Sequence, residues 1–203
     1  VSEDIEEIVD FFYFADAYFK LCRTLVPEGD LGKSVKGLSS LKAQIFRIGP
    51  VYQNLGLATE LTFKSALLLK GCSKAKVRKM GHDLSALHVH LSTIYDLSKV
   101  EDIAFHAAAL IGPPAGILSR IESTGQPTSR WFNLSTHIKS LNNNYNLFEK
   151  MSGGHSQEKF RSRYPAKDRA YREVCVEAVM AGIDALLSEL QVELNAKLSN
   201  DER

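Results

Sequence analysis

Asn54-Leu-Gly-Leu-Ala-Thr-Glu-Leu-Thr-Phe-Lys-Ser-Ala-Leu-Leu-Leu-Lys-Gly-Cys-Ser73, followed after a basic segment by Gly81-His82-Asp83-Leu84, is the stretch that decides the fold. Leu57, Leu61 and Leu68 recur at helical spacing, and Ala58, Ser65 and Leu69 form the neighbouring row. Glu60 and Lys64 stand four residues apart with the acid first, the better order for a helical ion pair. Gly71 stops the helix, because glycine enters left-handed dihedrals without a Cβ clash. Ser73-Lys-Ala-Lys-Val-Arg-Lys79 reads as a basic loop. Asp83 then reads as the N-cap of a second helix that buries Leu84, Leu87 and Leu91. The order is helix, basic hinge, histidine, helix.

The flanking segments continue the helical pattern. Residues 3–25 carry one apolar row of Ile5, Ile8, Phe12, Ala15, Phe19 and Cys22, and a second of Phe11, Phe14, Tyr18, Leu21 and Leu25. A helix apolar on that much of its circumference is buried on two sides, either in its own core or against another subunit. Glu3, Asp4, Glu6 and Glu7 suit its N-terminal dipole. Pro27 to Ser40 reads as a loop; Lys33 and Lys36 lie near glycines there but lack the full phosphate-loop pattern. A short helix is expected over 41–48, stopped near Gly49-Pro50, with the central helix starting near Val51 or Tyr52.

Beyond the hinge, Ser98 and Glu101 have capping-box spacing, and Val100, Ile103, Ala107 and Leu110 extend a stripe that ends at Gly112-Pro113-Pro114. A short helix is expected over 115–122. Trp131, Leu134, Ile138 and Leu141 have helical spacing, opposed by Asn142-Asn143-Asn144, and residues 166–198 read as a long closing helix. No segment alternates as a strand does. The expected fold is an all-α antiparallel bundle, a single domain over 1–203 in which 112–160 is an insertion packed on the bundle.

Bulk properties narrow the function classes. Twenty-five basic and 24 acidic residues nearly cancel, so any nucleic-acid binding rests on local patches. Three widely spaced cysteines do not make a disulfide framework, which points to a reducing, cytoplasmic setting. No apolar run is long enough for a bilayer, so no membrane is expected, and the acidic start is unlike a secretion signal.

The Glu-x-x-x-Lys helix, glycine stop, basic segment and Gly81-His82-Asp83-Leu84 re-entry resemble the all-α HEPN family. Phe160-Arg-Ser-Arg-Tyr-Pro165, ahead of the closing helix, is similar to the Arg-Tyr-Pro stretch of some of its branches. The resemblance implies a helical bundle, pairing into homodimers, and RNA cleavage, RNA binding or nucleotide binding, often in defence or toxin–antitoxin systems beside a nucleotidyltransferase-like partner. Its active ribonucleases carry an arginine, usually a polar residue, then a histidine after four to six intervening positions near the closing helices. Arg78 and His82 have three residues between them and lie in the wrong hairpin. Arg130 and His137 have an allowed spacing, with Trp131 where the polar residue belongs, and no histidine follows Arg161. These four residues are the catalytic candidates.

Two basic clusters are the binding candidates. Lys64, Lys76, Arg78 and Lys79 precede His82, while Arg161, Arg163, Lys167 and Arg169 surround Tyr164, an aromatic available for stacking. Glu60 joins them through its pairing with Lys64. The expected ligand is RNA or a nucleotide; the alternatives are a metal-independent endoribonuclease and a protein-binding or assembly module. His82 also reads as a buried, hydrogen-bonded tie that closes the hairpin. No metal site or cofactor is expected, since His88 and His90 are two apart on a helix and face different sides.

Overall fold

The computed structural model describes residues 3–26, 40–149, 157–163 and 171–201. The protein is an all-α bundle. Its first helix, α1 (Glu3–Leu25), lies against α2 (Ser40–Leu69), and α5 (Ser98–Ile111) lies against the last helix, α8 (Val176–Asp201). Between them stand α3 (Lys74–Met80), α4 (Leu84–Leu91), α6 (Ala115–Ser123) and α7 (Leu134–Tyr145). Two 3₁₀ turns, Thr128–Phe132 and Arg161–Arg163, complete the helical elements. A short antiparallel ribbon, β1 (Leu147–Glu149) with β2 (Gln157–Lys159), pairs Leu147 with Lys159.

The core follows the apolar rows. Ile8, Phe12, Ala15, Phe19 and Cys22 of α1 pack with Leu55, Ala58, Phe63 and Leu67 of α2, Leu84, Leu87 and Leu91 of α4, and Ile183, Leu186 and Leu190 of α8. The second α1 row departs from the two-sided burial its sequence suggests: Phe14 and Leu21 are 60% and 47% exposed, and Phe11, Tyr18 and Leu25 are half-buried. Inside the 112–160 span, α7 places Leu134, Ile138, Leu141 and Tyr145 in this same core.

Five readings of the element boundaries differ from expectation, each with a physical cause. The break at Gly49-Pro50 does not occur; α2 runs through Pro50. Proline forfeits one helical hydrogen bond, but Gly49 presents no Cβ to its ring, which removes the clash that usually ends a helix before a proline. The basic loop is instead α3, with Ser73 Oγ accepting from Lys76 N. The capping box at Ser98 does not form, because Asp96 Oδ1 already accepts from Ser98 N at 3.0 Å. Finally, Asn142 to Asn144 do not interrupt α7, and residues 171–175 precede α8 rather than opening it. Asn144 explains both, since its side chain accepts from Arg172 N and donates to Arg172 O, each at 2.8 Å, and so holds that backbone out of a helix.

Candidate functional site

Glu60, in the C-terminal half of α2, is only 2% exposed. A carboxylate that deeply buried has to find donors, and three converge on it. Lys64 Nζ donates to Oε1 at 2.7 Å and the Tyr145 hydroxyl donates to Oε2 at 2.7 Å. His82 Nδ1 lies 2.9 Å from Oε2 and 3.1 Å from Oε1. The lysine comes from one turn further along α2, the tyrosine from the end of α7, and the histidine from the joint between α3 and α4.

Each donor has a local reason for its place. Gly81, at φ 58°, ends α3 and turns the chain so that His82 faces α2 while Asp83 caps α4, its Oδ1 accepting from Ser85 N and Ala86 N at 3.0 Å. Asn142 Oδ1 accepts from Leu84 N at 2.9 Å, which ties the start of α4 to α7. Tyr145 reaches Glu60 because Gly56 stands one turn earlier on α2. A Cβ built there would sit 2.4 Å from Tyr145 Cδ2, so only glycine lets the ring lie against the helix. Burial, and then the Glu60 carboxylate, push the Tyr145 phenol above its ordinary range, with the Arg163 guanidinium opposing them. Tyr145 is therefore a fixed hydrogen-bond donor.

The outer side of this network is half open. The His82 side chain is 49% exposed, so it is a tie, as expected, but not a buried one. Because Nδ1 faces Glu60, Nε2 is the ring nitrogen left for another group. The edge of the His82 ring meets Phe160, centroids 5.7 Å apart, and Arg163 lies over Phe160 with Cζ 4.0 Å from the ring centre. Phe160 is the one non-glycine at positive φ (56°) among the described residues, a conformation that costs roughly 1–2 kcal/mol. Its N–H donates to Asn146 O, and its carbonyl accepts from Arg163 N at 3.0 Å, so the turn that carries Arg163 holds it in place.

The fold thus brings Glu60, Lys64, His82 and Arg163 together. It sends the other candidates elsewhere. Lys76 and Lys79 are exposed on α3, and Arg78 Nη2 lies 3.9 Å from Glu7 of α1, which also receives Lys74 Nζ at 2.6 Å. Arg161 is 2% exposed and lies against the Tyr171 ring, inside the protein rather than on a basic surface. Tyr164 falls outside the described residues, as do Lys167 and Arg169. Arg130 is exposed and donates to Gln126 Oε1. His137 is sealed in the core, edge-on to Trp131 at 4.8 Å, and its Nδ1 accepts from Cys175 N at 3.2 Å. Burial depresses its pKa to about 4, partly offset by the Trp131 backbone, so it is a neutral structural imidazole at physiological pH.

The sequence gives Tyr145, Phe160 and Gly56 no part in the site. Only Gly56 leaves a sign, a glycine inside a strong helix one turn before a buried acid. Among the described residues no group of three or more His, Cys, Asp or Glu side chains is placed to hold a metal ion, and no helix is long and apolar enough to cross a membrane. No family model, curated protein or solved structure matches the chain.

Proposed function

We propose that this chain is a HEPN-like helical module that binds phosphate groups of RNA or of a nucleotide at the rim formed by His82, Phe160 and Arg163. The observation that carries the reading is the Glu60 carboxylate on His82 Nδ1, 2.9 Å away, under a half-exposed ring with a guanidinium beside it. Glu60 fixes the ring's orientation, so the Nε2 edge and the Arg163 guanidinium meet a phosphate from preset positions, and little ordering entropy is lost on binding. Lys76 and Lys79, exposed on the helix that leads into His82, add charge that attracts a polyanion without reading its bases.

The test is affinity for a short single-stranded RNA and for a nucleoside triphosphate, measured at several salt concentrations. Binding should weaken steeply with salt, and Arg163→Gln and His82→Ala should each weaken it at constant salt. No binding at low salt by the folded parent removes this reading and leaves the assembly module. A second reading, metal-independent endoribonuclease, is favoured by the same Glu60–His82 pair, because a carboxylate-held imidazole is suited to accept a ribose 2′-hydroxyl proton. RNA cleavage in excess chelator, abolished by His82→Ala, would establish it.

The proposal extends to a homodimer built on α1. Phe11, Phe14, Tyr18, Leu21 and Leu25 follow a three-four spacing along a face that leaves Phe14 and Leu21 largely uncovered. That spacing is the seam of paired helices. An antiparallel second copy sets the acidic start of α1 beside Lys20 and Arg23 near its end. Phe14→Glu with Leu21→Glu should then convert a dimer into a monomer in sedimentation equilibrium. A concentration-independent monomer in the parent would refute the pairing.

A further inference from the structure

Two of the three cysteines are chemically closed. Cys22 is buried in the α1–α2 core, and burial pushes its thiol up to about 12. Cys175 is buried beside α8, and burial pushes its thiol up to about 11. Neither supplies a thiolate at neutral pH, and neither is reached by solvent. Cys72 differs in its exposure. It is part-exposed, and it stands at the joint where Gly71, at φ 82°, turns the chain out of α2. That turn lets Cys72 N donate to Leu67 O at 2.9 Å, a helix-capping bond that fixes the cysteine backbone. Its side chain is thereby aimed at α4, where His90 Nε2 lies 3.6 Å from Sγ.

The partner is held as firmly. His88 and His90 are two apart on α4 and so face opposite sides. His88 is buried against the Phe63 ring, at 5.7 Å, which leaves His90 turned to the α2–α3 joint and part-exposed. A thiol and an imidazole thus lie within sulfur hydrogen-bond reach, both at helix ends and both touched by solvent. Neither belongs to the Glu60 network.

We propose that Cys72 is a modification site, a thiol that exchanges with low-molecular-weight disulfides while His90 takes its proton. In the reaction the Cys72 S–H bond breaks and its proton moves to His90 Nε2. The thiolate attacks one sulfur of R–S–S–R, the S–S bond breaks, and a Cys72–S–S–R bond forms. The departing RS⁻ collects the proton from the imidazolium and leaves as RSH. Cys72 is oxidised by the disulfide, which is reduced, and no other oxidant is required. The inference stands apart from the phosphate-binding reading, because it uses neither Glu60 nor His82.

The test treats the intact chain, natively folded, with oxidised glutathione near neutral pH, and maps the products by peptide mass spectrometry. One glutathionyl group is expected, on Cys72, with Cys22 and Cys175 unmodified until denaturant is added. Stopped-flow reaction with Ellman's reagent should show one fast thiol, absent in Cys72→Ser. His90→Gln should slow that thiol by about tenfold near neutral pH and approach the parent rate only under alkaline conditions, where the thiol ionises without help. The pH profile separates proton transfer from mere packing. If Cys72 in the parent reacts no faster than Cys22 and Cys175, or if folded His90→Gln reacts at the parent rate near neutral pH, the proposal is overturned. The parent's own labelling pattern requires no variant, so the test stands even if His90→Gln fails to fold.

Discussion

His82 and His137 sit in two regions that treat the same imidazole in opposite ways. His82 is half exposed, its Nδ1 turned to a buried carboxylate and its ring against Phe160. His137 is fully enclosed, edge-on to Trp131, with Nδ1 accepting one backbone N–H. In the first region the protein buries the acid and leaves the histidine open; in the second it buries the histidine itself and depresses its pKa to about 4. A spacing rule that counts residues between an arginine and a histidine does not distinguish these cases. Burial and partners do, because a neutral imidazole inside a core completes a fold, whereas a carboxylate-held imidazole at a rim can meet a ligand.

The largest expected effect breaks the first region at its centre. Glu60→Ala removes the acceptor shared by Lys64, His82 and Tyr145, leaving a largely buried ammonium without its carboxylate and the Tyr145 phenol with Arg163 alone. Loss of about 3 kcal/mol is expected in denaturant unfolding. Glu60→Gln keeps the shape and one oxygen acceptor, so it should lose less stability while still weakening binding at His82. If Glu60→Ala unfolds at the parent midpoint, the carboxylate does not anchor the Lys64, His82 and Tyr145 network.

The second region is broken by acid. His137 has a folded pKa of about 4 against an ordinary value of 6.5, so the unfolded chain binds the extra proton first. Its contribution is complete above pH 6.5 and is lost as the pH falls toward 4, about 3 kcal/mol in all. His88, also lowered by burial, acts in the same direction. Unfolding free energies measured across this interval should therefore fall steeply, and His137→Asn should flatten the fall while lowering stability at neutral pH. An acid limb equally steep in His137→Asn would remove the assignment.

A smaller effect sharpens the comparison at the contact that admits Tyr145. Gly56→Ala places a methyl against an aromatic ring that has no room for it, 2.5 Å from Tyr145 Cγ. Although alanine favours a helix over glycine, the net result should be destabilisation by about 1–2 kcal/mol, because the ring has to move off α2. The displaced hydroxyl would no longer meet Glu60, and a shift in tyrosine absorbance or fluorescence should accompany the lower melting temperature. Gain of stability in Gly56→Ala would mean the ring yields freely.

These contrasts mark what was legible in the sequence. The helical class, the extent of α1, the Glu60–Lys64 pair and the Asp83 cap were readable because each depends on residues within one or two turns. Tyr145 was not readable as a Glu60 partner, since 85 positions separate them and only the docking of α7 on α2 joins them. The asparagines of α7 misled for a related reason. Their weak helix propensity was outweighed by tertiary bonds from Asn142 to Leu84 and from Asn144 to Arg172. Arg161 misled through charge, because a local cluster does not reveal which guanidinium is folded inward.

The smallest expected effect on stability falls on His82 itself, and it separates a site from a strut. His82→Ala removes one of three donors to Glu60, but Lys64 and Tyr145 still satisfy the carboxylate, and the lost imidazole was already half in water. A loss of only about 0.5–1 kcal/mol is expected, near the net worth of a single hydrogen bond. Binding should respond differently. The substitution removes Nε2 and bares the edge of Phe160, so affinity for RNA or nucleotide should drop about tenfold at fixed salt. Arg163→Gln should lower affinity without a matching loss of stability, since its guanidinium lies over Phe160 at the exposed rim. Parallel measurement of the unfolding midpoint and of affinity in the two variants provides the discriminating ratio. If His82→Ala instead costs several kcal/mol and leaves binding untouched, the histidine is a strut like His137, and the contrast between the two regions disappears.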